Sequence, residues 1–455
     1  MGIPTFSPLF IGLSGLQAMQ QAESVVGNNI DNANTPGYAQ ETVNFQESNP
    51  YPPVPGYGPV IAGQMGQGVQ VGSIVRQDDA FYDYQDRENQ STYQLYATES
   101  SVLTQVEGIL NEPSSNSLQN ALDQFFSSWQ TLSTDPSDTA ARQAVITQGQ
   151  ILAQTFNTVV SQLQTLRQNL ANQVNDQINQ FQQYAQELDQ VNQQIAMVSS
   201  YGENPNQLLD QQSKILDEMA ELADTSYTAN ADGMVTLTGN AAQLASVSTP
   251  VSLTSPPSAV SGVSGGQIAG NVEGYNQITG LINNLDAFME NLANEVNSQL
   301  SDPSLSPPLV QTFFTYSGGT LSVAMTSPDS LQTGQSGASG DNSYVLKVVQ
   351  LQNTSLSISW TDGSGATQTA TGTMDQLLAS MVSNIGMTAS GVASSEATAN
   401  ALLQQSTQLR QSISGVSLDE QASYMISYQN AYAAAAKYIT TFQAMMQSLL
   451  NMVQP

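Results

Sequence analysis

Between Gln150 and Ser200 the chain holds neither glycine nor proline. Its apolar residues recur three and four positions apart, at Leu163, Leu166, Leu170, Val174, Phe181, Leu188, Val191, Ile195 and Val198. That spacing lays one apolar stripe along one side of a helix. The pattern runs from Ala140 to Val198, and a periodic block much longer than ~25 residues belongs to a rod or coiled coil rather than a compact globule. Shorter blocks of the same period lie at Glu88–Leu110, Leu118–Leu132, Pro205–Leu222, Tyr275–Leu300 and Met374–Ile413. The expected fold class is therefore mainly α with β insertions (α+β), built around an elongated inner helix bundle with β-hairpins.

Both ends of the chain carry helical stripes of their own. Leu9, Leu13, Leu16, Met19, Val26 and Ile30 form one, which stops at the polar, turn-forming string NNIDNANTPGY over residues 28–38. At the other end Ala422, Met425, Gln429, Tyr432, Ala436, Ile439, Gln443, Met446, Leu450 and Val453 alternate steps of three and four, which is a coiled-coil seam. A helix from Asp419 to Val453 would be roughly 50 Å long. Leu418-Asp419-Glu420 marks its start, with acidic residues at the positive end of the dipole. Neither stripe can bury itself alone, so the terminal helices need each other or another subunit.

Strand-like segments separate these blocks. Tyr57 to Val75 contains GQGVQVG, read as a hairpin. Thr225 to Val263 contains the turn NADG and the alternating MVTLT. Leu305 to Thr373 contains FFTYSGGTLSVAM, SYVLKVVQL and SLSISWTDGSG, read as strands. The expected domains are a terminal coiled-coil domain (1–45 plus 412–455), an inner helical rod domain (46–300 plus 374–411, with a β-hairpin region at 225–263) and a small outer β-rich insertion (301–373).

Composition removes most chemistry. Among 455 residues there is no cysteine and no histidine, with 37 acidic residues against 8 basic and a formal charge of −29. Thiolate nucleophiles, cysteine-ligated metals, Ser-His-Asp triads and HExxH helices are excluded. The eight cations are scattered along the sequence, which argues against nucleic acid and anionic membranes. No stretch approaches the ~18 apolar residues of a membrane span, and the N-terminus lacks a basic n-region and a cleavage site.

The remaining motifs read as structure. Gly265-Gly266-Gln267-Ile268-Ala269-Gly270 lacks a Walker lysine and reads as a turn. NADG and TDGSG lack the oxygen spacing of calcium loops and read as hairpin turns. Asp78-Asp79 reads as a solvated pair at a strand–helix junction. Lys214 has Asp210, Asp217 and Glu218 at helical ion-pair spacing. No catalytic, cofactor or metal constellation emerges, and the expectation is a protein that is not an enzyme.

NNIDNANTPGYAQE (28–41) resembles the signature shared by flagellar rod, hook and hook-associated proteins. Its marked positions are Asn28, Asn29, Asn32, Asn34, Thr35, Pro36, Gly37 and Tyr38, with Leu418, Asp419 and Glu420 near the other end. Four further stretches, GQGVQVGSIVRQDDAFYDYQ, QFFSSWQTLSTDPSDTAARQAVI, NPNQLLDQQSKILDEMAEL and SISGVSLDEQASYMISYQNAYAAAAKYITTFQAMMQSLLNMV, are similar to the family of flagellar hook-associated protein 1. The likeness spans roughly 7–300 and 374–453. Three departures stand out: Gln212 where the family usually has arginine, an insertion limited to 301–373, and a basic content low for the family.

The resemblance implies a structural junction protein of the bacterial flagellum, joining hook to filament by self-assembly. It also implies type III export without a cleaved signal and an extracellular place at the hook–filament junction. Implied partners are further copies of itself, the hook protein, the second hook–filament junction protein and an export chaperone on the C-terminal helix. The implied assembly interface is Leu9, Leu13, Leu16, Met19, Val26, Ile30, Met425, Tyr432, Ala436, Ile439, Met446, Leu450 and Val453, ordered on assembly. Alternatives are another flagellar axial protein (hook or distal rod) or a secreted coiled-coil adhesin. The −29 charge reads as a solubilising surface, or as adaptation to an acidic exterior.

Overall fold

The computed structural model describes residues 6–50, 66–111, 114–230 and 232–453. Its elements run α1 (Ser7–Asp31), β1 (Glu41–Glu47), β2 (Val69–Arg76), α2 (Ala80–Leu110), α3 (Leu118–Thr134), α4 (Thr139–Ser200), α5 (Asn206–Leu222), β3 (Tyr227–Ala229), β4 (Val235–Leu237), α6 (Gly239–Leu244), α7 (Ser258–Ser261), α8 (Gly266–Leu300), β5 (Phe314–Ser317), β6 (Thr320–Val323), α9 (Ser343–Leu351), β7 (Leu356–Thr361), β8 (Thr367–Gly372), α10 (Met374–Ser414) and α11 (Leu418–Val453). The described strands form four two-stranded antiparallel sheets, β1–β2, β3–β4, β5–β6 and β7–β8. The chain is thus mainly α with β insertions.

The 62-residue helix α4 is the spine. Asp138 caps it by accepting from the Ala140 amide at 2.8 Å. Its stripe, from Val145 through Phe156, Leu163, Leu170 and Phe181 to Ile195, is buried from end to end. Helix α8 runs back along it, as Gln177 meets Gln267 and Arg167 lies over the Tyr275 ring. Helix α10 runs back along α2, where Ser406 bonds to Asp86. Side chains of α3 and the insertion meet in an aromatic cluster: Phe125, Trp129, Phe313 and Phe314 stack with ring centroids 4.8 to 6.1 Å apart. Residues of 301–373 therefore share one continuous core with the bundle, while no residue of α1 or α11 belongs to it.

Asparagines on α4 hold the hairpins and loops to the spine. Asn157 donates to the Leu321 carbonyl (2.8 Å) and accepts from its amide (3.0 Å). Asn175 grips Val251 in the same way (3.2 and 2.6 Å), and Asn192 grips Val235 (2.8 and 3.1 Å). A side-chain amide offers one donor face and one acceptor, the same complement as a peptide unit. Gln212 donates to Asn192 Oδ1 at 3.0 Å and to the Gly233 carbonyl at 3.1 Å, so it is a buried link in this chain of amides.

Three sequence expectations are corrected. SYVLKVVQL is helix α9, not a strand. Tyr344, Val345, Val348 and Leu351 are its buried residues, a helical spacing that overrides the β preference of valine. GQGVQVG is not a hairpin by itself: it leads into β2, whose partner β1 lies before it in sequence, and the part of that expectation over 57–65 falls outside the described residues. The segment after Gly265 is no turn but the first turn of α8. There Gly270 and Gly274 let α2 approach: a Cβ at these positions would lie 2.6 Å from the Leu95 carbonyl oxygen and 2.7 Å from Val102 Cγ1. NADG and TDGSG do close hairpins, β3–β4 and β7–β8, with Asp362 accepting from the Ser364 and Ala366 amides.

Candidate functional site

The two terminal helices pack on each other, antiparallel, as Asn29 meets Gln421 near one end and Gly12 meets Ile439 near the other. On the α1 side the seam is made mostly of small residues. On α1 the buried positions include Gly12, Ala18, Ala22, Val25 and Val26. A Cβ on Gly12 would sit 2.5 Å from Ile439 Cγ1, and one on Gly15 would sit 3.6 Å from the Ala435 Cβ. From α11, Met425, Tyr428, Ala435, Ala436, Ile439, Phe442 and Met446 are partly covered. Isolated stripes are thereby given a partner within the chain, and small residues allow the close approach.

That geometry redistributes the large residues. Val26 is buried, and Leu9, Leu16, Met19 and Ile30 are partly covered, but Leu13 is exposed with Phe6 (55%) and Phe10 (59%) beside it. On α11, Tyr432 and Leu450 face solvent, and the Val453 side chain lies outside the described residues. Tyr424, Tyr438, Met445 and Met452 are also exposed, at steps of seven or fourteen along one line. Sequence spacing could not separate these rows from the seam, because a helix with small and large stripes has two faces of the same period.

The signature string ties this pair to the bundle. Asn29 Oδ1 accepts from the Tyr38 hydroxyl (2.7 Å) and the Glu41 amide (2.9 Å). Its Nδ2 donates to the Glu41 carbonyl (2.8 Å) and to Gln421 Oε1 (3.0 Å). One buried side chain thus joins α1, the following loop, β1 and α11. Asn32 bonds back to Asn28, and Thr35 to Asn32 (3.1 Å). Gly37 adopts φ 80° against Lys214, a conformation that favours glycine. Burial, with the Glu41 and Asp210 carboxylates adding to it, keeps the Tyr38 phenol protonated well above its usual range. Asn34, Thr35 and Pro36 are exposed on the wall of a cleft of about 990 Å³, whose other side is the last turn of α10 and the 415–417 linker to α11. Leu418, Asp419 and Glu420 lie exposed in the first turn of α11, where Glu420 accepts from the Tyr424 hydroxyl at 2.8 Å.

Below this knot lies a feature that reading the sequence missed. Three of the eight cations, scattered in sequence, converge. Arg76 pairs with Asp78 (2.6 Å) and Asp210 (2.7 Å), and Arg87 with Asp217 (2.6 Å). Arg410 pairs with Asp83 (2.7 Å), Asp217 (2.9 Å) and Asp86 (3.2 Å). Arg87 and Arg410 share the Ser213 hydroxyl. Burial works against both guanidinium charges, but the carboxylates, Asp217 foremost, outweigh it and hold both above the ordinary arginine value. Burial raises the Asp210 carboxyl despite Arg76. Asp210 and Asp217 are therefore committed to arginines, and Lys214 retains only Glu218, at 3.8 Å. Asp78 is an ion-pair partner and Asp79 the cap of α2, accepting from Phe81. The only local hint was Asp210 and Asp217 seven residues apart on one helix face; their partners lie far away in sequence.

What this region can do is mechanical. It pins a thin helix pair to a thick bundle through buried polar contacts. Among the described residues no cluster is arranged to hold a metal ion, and no helix is long and apolar enough to cross a membrane.

Comparison with known proteins matches three family models. Residues 103–303 match "Flagellar hook-associated protein FlgK helical domain", residues 9–38 match "Flagella basal body rod protein", and residues 398–452 match "Flagellar basal body rod FlgEFG protein C-terminal". Flagellar hook-associated protein 1 of Bacillus subtilis is 28% identical over 98% of both chains. The Salmonella typhimurium protein of the same name is 31% identical over 54% of this chain, a match that takes in 44% of that relative's length. The solved flagellar hook junction protein FlgK of Burkholderia pseudomallei gives a TM-score of 0.44 at 20% identity, over 63% of this chain and 57% of that one.

Proposed function

Since the chain belongs to the family of flagellar hook-associated protein 1, whose members are structural proteins of the bacterial flagellum, we propose that it joins hook to filament by self-assembly through its terminal helix pair. The observation that carries this reading is the exposed apolar face of that pair. Phe6, Phe10, Leu13, Tyr438, Met445 and Met452 stand in water on helices that carry almost no charge, and contiguous exposed apolar rows mark protein–protein contact sites. Burying them between copies is favourable by roughly 25 cal/mol per Å² of apolar surface. In this reading the chain leaves the cell through the flagellar export apparatus and sits outside it, between the hook protein and the second junction protein. An export chaperone covers the C-terminal helix beforehand.

Truncation after Asp419 tests it. The expected product is a soluble, folded bundle, and cells that build hooks without filaments and release flagellin subunits into the medium. Normal filaments and motility from the truncated gene would overturn the reading. Matches of both ends to rod-protein models favour one alternative, a different position along the same axis. Cells lacking the gene would then stop before hook completion.

A further inference from the structure

We propose that neighbouring copies meet head-to-flank: the outer face of α1 at Phe6, Phe10 and Leu13 packs against the Tyr438–Met445 row on α11 of the next copy, leaving the Lys437 face wet. This rests on the self-assembly reading above and specifies which surfaces meet. On a 3.6-residue turn, Phe6, Phe10 and Leu13 share one face, roughly opposite the buried face that holds Gly12 and Ala22. Tyr424, Ala431, Tyr438, Met445 and Met452 share another line, on α11. The internal pairing of Gly12 with Ile439 and Gly15 with Ala435 sets 6–13 of α1 level with 438–446 of α11. Two copies side by side at the same height therefore bring one apolar row against the other without sliding.

Charge fixes which face stays out. From Ser7 to Ala22 and from Gln421 to Val453 the only charged residue is Lys437. It lies about 160° around α11 from the seam residue Ile439, among Asn430, Ala433, Thr441 and Ala444. It has no ion pair among the described residues. Neither row carries a charge to meet it, and burying an unpaired ammonium is expensive. The contact joins unlike surfaces, so it repeats from copy to copy and generates a ring or a helix rather than a closed dimer.

The absence of cysteine makes the test clean. Full-length variants Phe6→Cys/Met445→Cys and Leu13→Cys/Lys437→Cys replace the natural chain in cells, and isolated flagella are oxidised and run without reductant. The 6/445 pair is expected to give a ladder of crosslinked copies and the 13/437 pair none. A single Lys437→Cys variant is expected to react with a bulky water-soluble maleimide in assembled flagella, and a Met445→Cys variant to be protected. Leu13→Cys/Tyr438→Cys serves if the first pair does not assemble. Assembled flagella with no 6/445 or 13/438 ladder, or with a 13/437 ladder, would overturn the head-to-flank contact while leaving self-assembly intact. Filaments built by the chain truncated after Asp419 would instead overturn self-assembly itself.

Discussion

The bundle and the terminal pair are built from the same helical period but turned inside out. In the bundle, Phe125, Phe126, Trp129, Phe156, Phe181 and Phe288 are sealed inside, and the outer faces are rich in glutamine and carboxylate, with scattered exposed apolar residues such as Phe81, Met197 and Leu402. In the terminal pair, the buried residues of α1 are mostly small, Gly12, Ala18, Ala22, Val25 and Val26 among them, while Phe6, Phe10, Tyr438, Met445 and Met452 face water. A single chain thus finishes its burial in one region and leaves it unfinished in the other. The unfinished region is where another molecule supplies the missing surface.

The sharpest way to break that comparison is a matched pair of substitutions. Phe125→Ala is expected to cost the soluble chain about 3–5 kcal/mol in denaturant unfolding. Phe10→Ser is expected to leave that unfolding within about 0.5 kcal/mol while abolishing filament attachment. Equal destabilisation by both would mean that the terminal pair is an ordinary part of the core. The joint between the regions comes next. Arg410→Met strands Asp83 and Asp86, while Asp217 keeps Arg87, and removing one partner of a buried pair costs about 3–5 kcal/mol. Hydrogen exchange should locate that loss at the start of α2 and the end of α10, with the α3–α4 amides unaffected.

Acid separates the bundle from the insertion more gently. Burial, reinforced by the charge of Glu273 and opposed by a hydrogen bond from Gln277, raises the Glu99 carboxyl. The folded chain therefore binds this proton more tightly than the unfolded one, and stability falls as pH rises from the unfolded value through the folded one. Glu99→Gln should accordingly raise the melting temperature at pH 7 and leave it unchanged near pH ~4. Asp362 runs the other way. Hydrogen bonds from Ser364, Gln368 and the Ala366 amide hold it at about 2, so its contribution is present above the unfolded carboxylate range and is lost as pH falls through the folded value. Hydrogen exchange in acid should show the β7–β8 turn loosening before α2 and α8. The smallest effect belongs to Lys214→Ala, whose exposed pair with Glu218 should change stability by less than about 0.5 kcal/mol.

Much of the bundle was legible because its helices bury a stripe along their own length, a property local to each segment. Helix α4 was legible as Ala140–Val198 against an observed Thr139–Ser200. What failed depended on distant partners. Helix α9 reads as a strand until its valines are seen against the core. The glycines at the start of α8 read as a turn until α2 is laid across them. The Arg76–Arg87–Arg410 joint is invisible because its carboxylates come from α2 and α5, more than a hundred residues apart in sequence. At the terminal pair the periodicity gave the helices but not the face, since Leu13 and Val26 fit one stripe in sequence, yet Val26 ends buried and Leu13 exposed.

The asparagines of α4 carry a consequence for how such a chain can change. Asn157, Asn175 and Asn192 hold peptide groups, not side chains. A socket that reads only backbone is indifferent to the identity of what it holds. The segments seated there are free to drift, to lengthen at their turns, or to be exchanged for foreign hairpins, provided one extended residue presents its amide and carbonyl at each socket. The long helix then acts as a mounting rail, on which the exterior of the molecule can be refitted without touching the load path that runs from the bundle to the terminal helices.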